Sequence, residues 1–92
     1  MTEDVKETRL TIHNQKGLHA RAAAKFVNIT SKFESDIKVS RENENVSGKS
    51  IMGLLMLAAV KGTTIRITAN GRDASQVLEE LTRLIDNKFD EE

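Results

Sequence analysis

The residues best suited to chemistry are Gly17-Leu18-His19-Ala20-Arg21. An alternating segment ends before them and a helical period begins after them, so the spacing puts His19 where a loop enters a helix. The first amides of a helix have no intrahelical acceptor. Together with the helix dipole they form a natural anion site. The same field disfavours positive charge on an imidazole and so favours the neutral, nucleophilic ring. Arg21, two residues on, can close over an anion at that ring with charge-assisted hydrogen bonds. The spacing therefore suits accepting a phosphoryl group and passing it on. Its competitor is a histidine that merely caps a helix beside a solvated arginine, and spacing alone leaves both open. His13 falls in the solvent phase of a strand and has no partner nearby in sequence.

A second motif is Gly48-Lys49-Ser50-Ile51-Met52-Gly53. Its Gly-Lys-Ser looks like the end of a phosphate-binding loop, but that motif needs a glycine where Asn43 stands. The segment from Ile51 through Leu57 is apolar nearly all round, more than one small domain can bury. Two readings stay open: a helix buried on every side as plain core, or a docking patch of Ile51 and Met52 on the first turn with Leu55 one turn later, which methionine suits because it adapts to several partners. Gly53 inside this helix costs roughly 1 kcal/mol against alanine, which predicts close packing there.

The elements that must position these residues follow from periodicity. Val5–His13 alternates as a half-buried strand with Thr8, Leu10 and Ile12 inward. From Ala20 to Lys32 a helix carries the stripe Ala23, Phe26, Val27, Thr30 and Phe33. Asp36–Ser40 is a second strand, and Asn43-Glu44-Asn45 turns into a third around Val46. Ser50 caps a helix over Ile51–Leu57, with Lys61-Gly62 closing it. Thr64–Ala69 is a fourth strand, and Asp73 with Gln76 opens an amphipathic helix through Ile85 in the manner of a capping box. The tail Asp90-Glu91-Glu92 is expected to fray. The order β-α-β-β-α-β-α predicts an α+β fold, one antiparallel sheet with helices on one face. Arg9, Thr11, Lys38, Arg66 and Thr68 fall on the uncovered face.

Ninety-two residues allow one domain, spanning 1–92. Fourteen basic against fourteen acidic residues argue against a general nucleic-acid binder. An RNA-recognition domain shares part of the element order but stacks bases on sheet aromatics, and Phe26, Phe33 and Phe89 all fall on helices or their ends. No cysteine is present, and two histidines leave no zinc site, so neither metal nor cofactor is expected. Met1-Thr2-Glu3-Asp4 carries no apolar leader, and the ten-residue run Ile51–Val60 is too short to span a bilayer. A cytoplasmic protein is expected, and an accessible His19 favours a monomer.

Gly-Leu-His-Ala-Arg-x-Ala-Ala, followed thirty-one positions after His19 by Ser50 of Lys-Ser-Ile-Met-Gly, resembles the HPr family of the bacterial phosphotransferase system. The resemblance covers about Arg9 to Phe89. It implies an HPr-like open-faced β-sandwich of four antiparallel strands and three helices. It implies a protein substrate that shuttles phosphate, not a stand-alone enzyme. His19 would take a phosphoryl group on Nδ1 from enzyme I, itself charged from phosphoenolpyruvate, and pass it to an enzyme IIA domain. Arg21 matches the family's active-site arginine, and Ser50 the serine phosphorylated by HPr kinase/phosphorylase. Ile51, Met52 and Leu55 match the docking patch, with Lys49 beside them to attract acidic partner surfaces. A regulatory adaptor governed by Ser50 is the alternative. The family usually has proline where this chain has Ala22, a change that restores a backbone N–H and loosens the unfolded chain by about 0.4–1 kcal/mol. Asn87 to Glu92 and Leu54-Leu55-Met56-Leu57 resemble the nitrogen-related paralogue NPr, whereas Lys49 to Gly53 resembles kinase-regulated HPr.

Overall fold

A computed structural model describes residues 5–91; Met1 to Asp4, where the acidic start was read, and Glu92 lie outside them. The order is β1 (Val5–Thr11), α1 (Ala20–Thr30), β2 (Asp36–Arg41), β3 (Glu44–Ser47), α2 (Ile51–Met56), β4 (Thr64–Asn70) and α3 (Ala74–Asp86). A single 3-10 turn, Lys88–Asp90, follows α3. The strands form one sheet in the order β1-β4-β2-β3, antiparallel throughout. Thr8 pairs with Ile67 and Ile67 with Val39, which puts the apolar residues of three strands on one face.

The helices cover that face, as the alternation and stripes required. Ile37, Val39, Ile65, Ile67 and Ala69 of the sheet meet Phe26, Leu54, Val77, Leu81 and Ile85 of the helices in one buried cluster. Each of these side chains other than Ala69 contributes roughly 1.5–3 kcal/mol on leaving water. The opposite face carries Arg9, Lys38 and Arg66 exposed and Thr11 and Thr68 half-buried, as alternation predicts. Thr30, at the end of the α1 stripe, is fully buried and donates its hydroxyl to the Gly48 carbonyl at 2.8 Å. The packing expected at Gly53 is present: a Cβ there would lie 3.2 Å from the Val46 side chain on β3.

Besides shifts of one or two residues at the ends of β1, α1, β2, β4 and α3, four features differ from the sequence reading. The β2–β3 turn lies at Glu42-Asn43, with Glu42 at φ 56, and Glu44 and Asn45 already pair within β3. Helix α2 stops at Met56, one turn before Lys61-Gly62, because Ala58 takes φ 52 and turns the chain away. Asp73 makes no cap hydrogen bond with its side chain. Its carboxylate accepts the Glu34 and Ser35 amides at 2.9 and 3.0 Å and the Ser35 hydroxyl, tying the start of α3 to the α1–β2 loop. The Ser35 hydroxyl first, then the Glu34 amide, outweigh burial and hold the Asp73 carboxyl below its ordinary value.

The fourth correction is the tail. Asp90 and Glu91 are held rather than frayed. Phe89 is fully buried, and the Lys25 ammonium donates to its carbonyl at 2.7 Å. Three consecutive non-glycine residues, Lys88, Phe89 and Asp90, take φ 56, 55 and 61. Left-handed backbone costs such residues roughly 1–2 kcal/mol each. Phe89 burial and the tail's hydrogen bonds offset that cost, the reverse of a chain end with nothing to hold it.

Candidate functional site

The loop that presents His19 is built from its neighbours. The Asn14 carbonyl accepts the Gly17 amide at 3.2 Å, and the buried Asn14 side chain donates to the Gly17 carbonyl at 2.8 Å. Gly17 takes φ +67, and a Cβ there would sit 2.6 Å from the Ala59 oxygen. The loop thus lies hard against the segment before β4, where the Leu18 amide donates to the same Ala59 oxygen at 2.9 Å. Leu18 is buried and anchors it.

His19 is the N-cap residue of α1 by backbone alone: its carbonyl accepts the Ala23 amide at 2.8 Å, while its imidazole makes no cap hydrogen bond. The helix-cap explanation of this side chain is therefore absent from the structure. The imidazole is 27% exposed and its Nε2 bonds to the Glu91 carboxylate. Above it opens a cavity of about 250 Å³, walled by Gln15 and Lys16 of the loop, Arg21 and Lys25 of α1, and Asp90 and Glu91 of the tail. Three cations and the opening turn of an eleven-residue helix give this space the character of an anion site. Arg21 shares it with His19, as the two-residue spacing suggested. Burial raises the Glu91 carboxyl, but hydrogen bonds from His19 and Asn14 and nearby positive charge, that of Lys16 included, outweigh it, leaving the carboxyl below its ordinary value.

The second group of expected residues lies on and beside α2. Ser50 caps that helix, its hydroxyl oxygen accepting the Gly53 amide at 3.0 Å. Ile51 and Met52 are exposed, Met52 at 69%, whereas Leu55 is half-buried against the core. Lys49 is exposed, but its ammonium donates to the Phe33 carbonyl at 2.9 Å. Leu54 and Leu57 belong to the core and Leu55 packs against it, which explains half of the apolar run from Ile51 to Leu57. Met56 and Val60 extend the exposed apolar surface, and the Val60 backbone lies against Gly17, joining that surface to the His19 loop. His13 is exposed and lines no part of the cavity.

The comparisons with known proteins bear on the family and the fold. The family model described as the HPr component phosphorylation site of the phosphotransferase system matches residues 6–87. The chain belongs to the HPr family. It is similar to the phosphocarrier protein HPr of Xylella fastidiosa, 44% identical over 86 residues, covering 94% of this chain and 97% of that one. It is 41% identical over 85 residues to the phosphocarrier protein NPr of Shewanella violacea, covering 92% and 93%. In three dimensions it resembles the crystal structure of HPr from Thermoanaerobacter tengcongensis, with TM-score 0.91 and 44% identity over 95% of this chain and 98% of that one. The four-stranded open sheet with three helices is thus the HPr fold. No helix among the described residues is long and apolar enough to cross a membrane.

Sequence reasoning missed Asn14, Lys16, Lys25 and Glu91. Lys25 falls outside the apolar stripe read for α1. Glu91 stands seventy-two positions from His19, and no periodicity or local motif connects them.

Proposed function

We propose that this phosphocarrier takes its phosphoryl group onto Nδ1 of His19 from a phosphohistidine of enzyme I and donates it to a histidine of an enzyme IIA domain. The observation that carries this reading is the imidazole placed at the start of α1 in a cavity with Lys16, Arg21 and Lys25. The Nδ1 lone pair attacks phosphorus as the donor's N–P bond breaks, and the donor ring keeps the bonding pair. Arg21, Lys16 and Lys25 hold the equatorial oxygens, whose charge persists through a loose transition state. Onward transfer is the same step reversed in direction, so the site must stabilise the phosphoryl group without trapping it.

Ile51, Met52 and Leu55 serve as the docking surface, with Lys49 at its rim. A protein that exchanges phosphate with two partners gains from a flat, adaptable apolar patch. The chain acts in the cytoplasm as a monomer. Ser50 is the regulatory site for HPr kinase/phosphorylase: its phosphate would sit next to exposed Met52 and oppose docking.

Intact mass after incubation with enzyme I, phosphoenolpyruvate and Mg²⁺ tests the carrier role. One added phosphate that mild acid removes, and that His19→Ala abolishes, is the expected result. Retained phosphorylation in His19→Ala would overturn the assignment.

A further inference from the structure

We propose that Glu91 is a positioning residue for phosphoryl transfer, holding the proton of His19 on Nε2 so that Nδ1 is the unprotonated nucleophile. This deepens the reading of His19 as acceptor and rests on it.

Two independent anchors deliver the carboxylate. Phe89 is sunk in the core with its carbonyl held by Lys25, which fixes the tail across the start of α1. The Asn14 amide then holds Oε1 of Glu91 at 3.0 Å while Oε2 meets His19 Nε2. Asn14 is fully buried, and its own oxygen has no partner among the described residues. A buried unpaired acceptor is costly. Here the opposite end of the same amide uses its donors on the Gly17 carbonyl and on Glu91. One side chain thus shapes the His19 loop and aims the carboxylate at the ring.

The chemical consequence follows from proton count. A neutral imidazole has one N–H, and an ionised carboxylate can only accept, so the proton sits on Nε2 and the lone pair on Nδ1. The Glu91 carboxyl is held below its ordinary value by His19 and Asn14 against the effect of burial, so it is ionised near neutral pH. As the Nδ1–P bond forms, positive charge develops on the ring, and the carboxylate stabilises it, as an orienting acid does in a catalytic dyad. The Nε2 proton never leaves: when the Nδ1–P bond breaks onward, the electron pair stays on Nδ1. Glu91 also places negative charge near an anionic substrate. Lys16, Arg21 and Lys25 around the same cavity balance it and neighbouring Asp90.

The test combines nitrogen NMR of the His19 ring with single-turnover transfer from phosphorylated enzyme I, using the full chain and its E91A and E91Q variants. At pH 8 the unaltered chain should show protonated Nε2 and bare Nδ1. E91A should shift the ring toward a tautomer mixture, leave the His13 signals in place, and slow transfer about tenfold, with half-saturation in enzyme I unchanged. E91Q, which keeps an oxygen acceptor but not the charge, should retain the tautomer and fall between the two in rate. An E91A ring with the unaltered tautomer would overturn the inference. So would a transfer rate equal to or above that of the unaltered chain, since the tail would then only obstruct the acceptor. Both results differ from failure of the carrier reading, in which the unaltered chain itself gains no acid-labile phosphate on His19.

Discussion

Replacing Gly17 by alanine tests how tightly the His19 loop is built. Two separate costs arise. The backbone sits at φ +67, where an L side chain costs about 1 kcal/mol or somewhat more. The new Cβ would also lie 2.6 Å from the Ala59 oxygen and 2.9 Å from the Val60 Cα, both backbone atoms that cannot rotate aside. Relief requires the loop to back away by about half an ångström, which strains two hydrogen bonds: Leu18 amide to Ala59 at 2.9 Å and Asn14 side chain to Gly17 at 2.8 Å. Losing the use of both costs about 1–3 kcal/mol, giving about 2–4 kcal/mol in all. Gly62 is the control, since it has φ +91 and nothing within 4 Å of an added Cβ, so Gly62→Ala should show the backbone cost alone. Urea unfolding of both variants measures the difference, expected at about 1–3 kcal/mol. Transfer to His19 should fall in Gly17→Ala by about tenfold, half on a logarithmic scale of the penalty for a full ångström of misplacement, and hold in Gly62→Ala. Equal stabilities for the two variants would refute the collision argument, and an unchanged transfer rate in Gly17→Ala would refute the claim that this loop sets the position of the ring.

The Asp73 carboxyl is depressed in the folded chain, so its stabilisation is present above the ordinary carboxylate value of 3.8 and lost as pH falls through the lower folded value. Asp73→Asn should therefore melt lower than the unaltered chain at pH 7, with the gap closing below about pH 4; a gap independent of pH would remove charge from the account. Ser50→Asp should slow transfer from enzyme I by well over tenfold while leaving the fold intact by circular dichroism, because it places charge beside Met52; an unchanged rate would uncouple Ser50 from docking.

What was legible in the sequence was whatever repeats along it. Alternation at Ile37 and Val39, or at Ile65 and Ile67, needs only neighbouring residues, and the sheet forms where it indicated. The 3.6-residue stripe of α3 is equally local. His19 and Arg21 were picked out by their spacing of two, and both line one cavity. Contacts that join distant segments were not legible. Asp73 has the right type for a helix cap, yet the loop at Glu34-Ser35 offers it three donors, and those win. Asp90 and Glu91 look like a solvated end because their charge is visible, whereas the pocket that receives Phe89 exists only after the core has closed. Glu42 and Ala58, both exposed, were invisible as turn points because neither is a usual left-handed residue.

The hydroxyl of Thr30 on the Gly48 carbonyl carries a mechanical consequence. Helix α1 runs from Ala20, next to His19, to Thr30, and its eleven residues span about 16 Å. Its far end is riveted to the turn that leads through Lys49 into Ser50. The lysine adds a second rivet by donating to the Phe33 carbonyl just beyond the helix. The acceptor histidine and the start of the α2 surface are therefore opposite ends of one stiff calliper. A partner that grips the α2 end already has the imidazole at a fixed reach, and it can find that distance unchanged whether it arrives to give or to take.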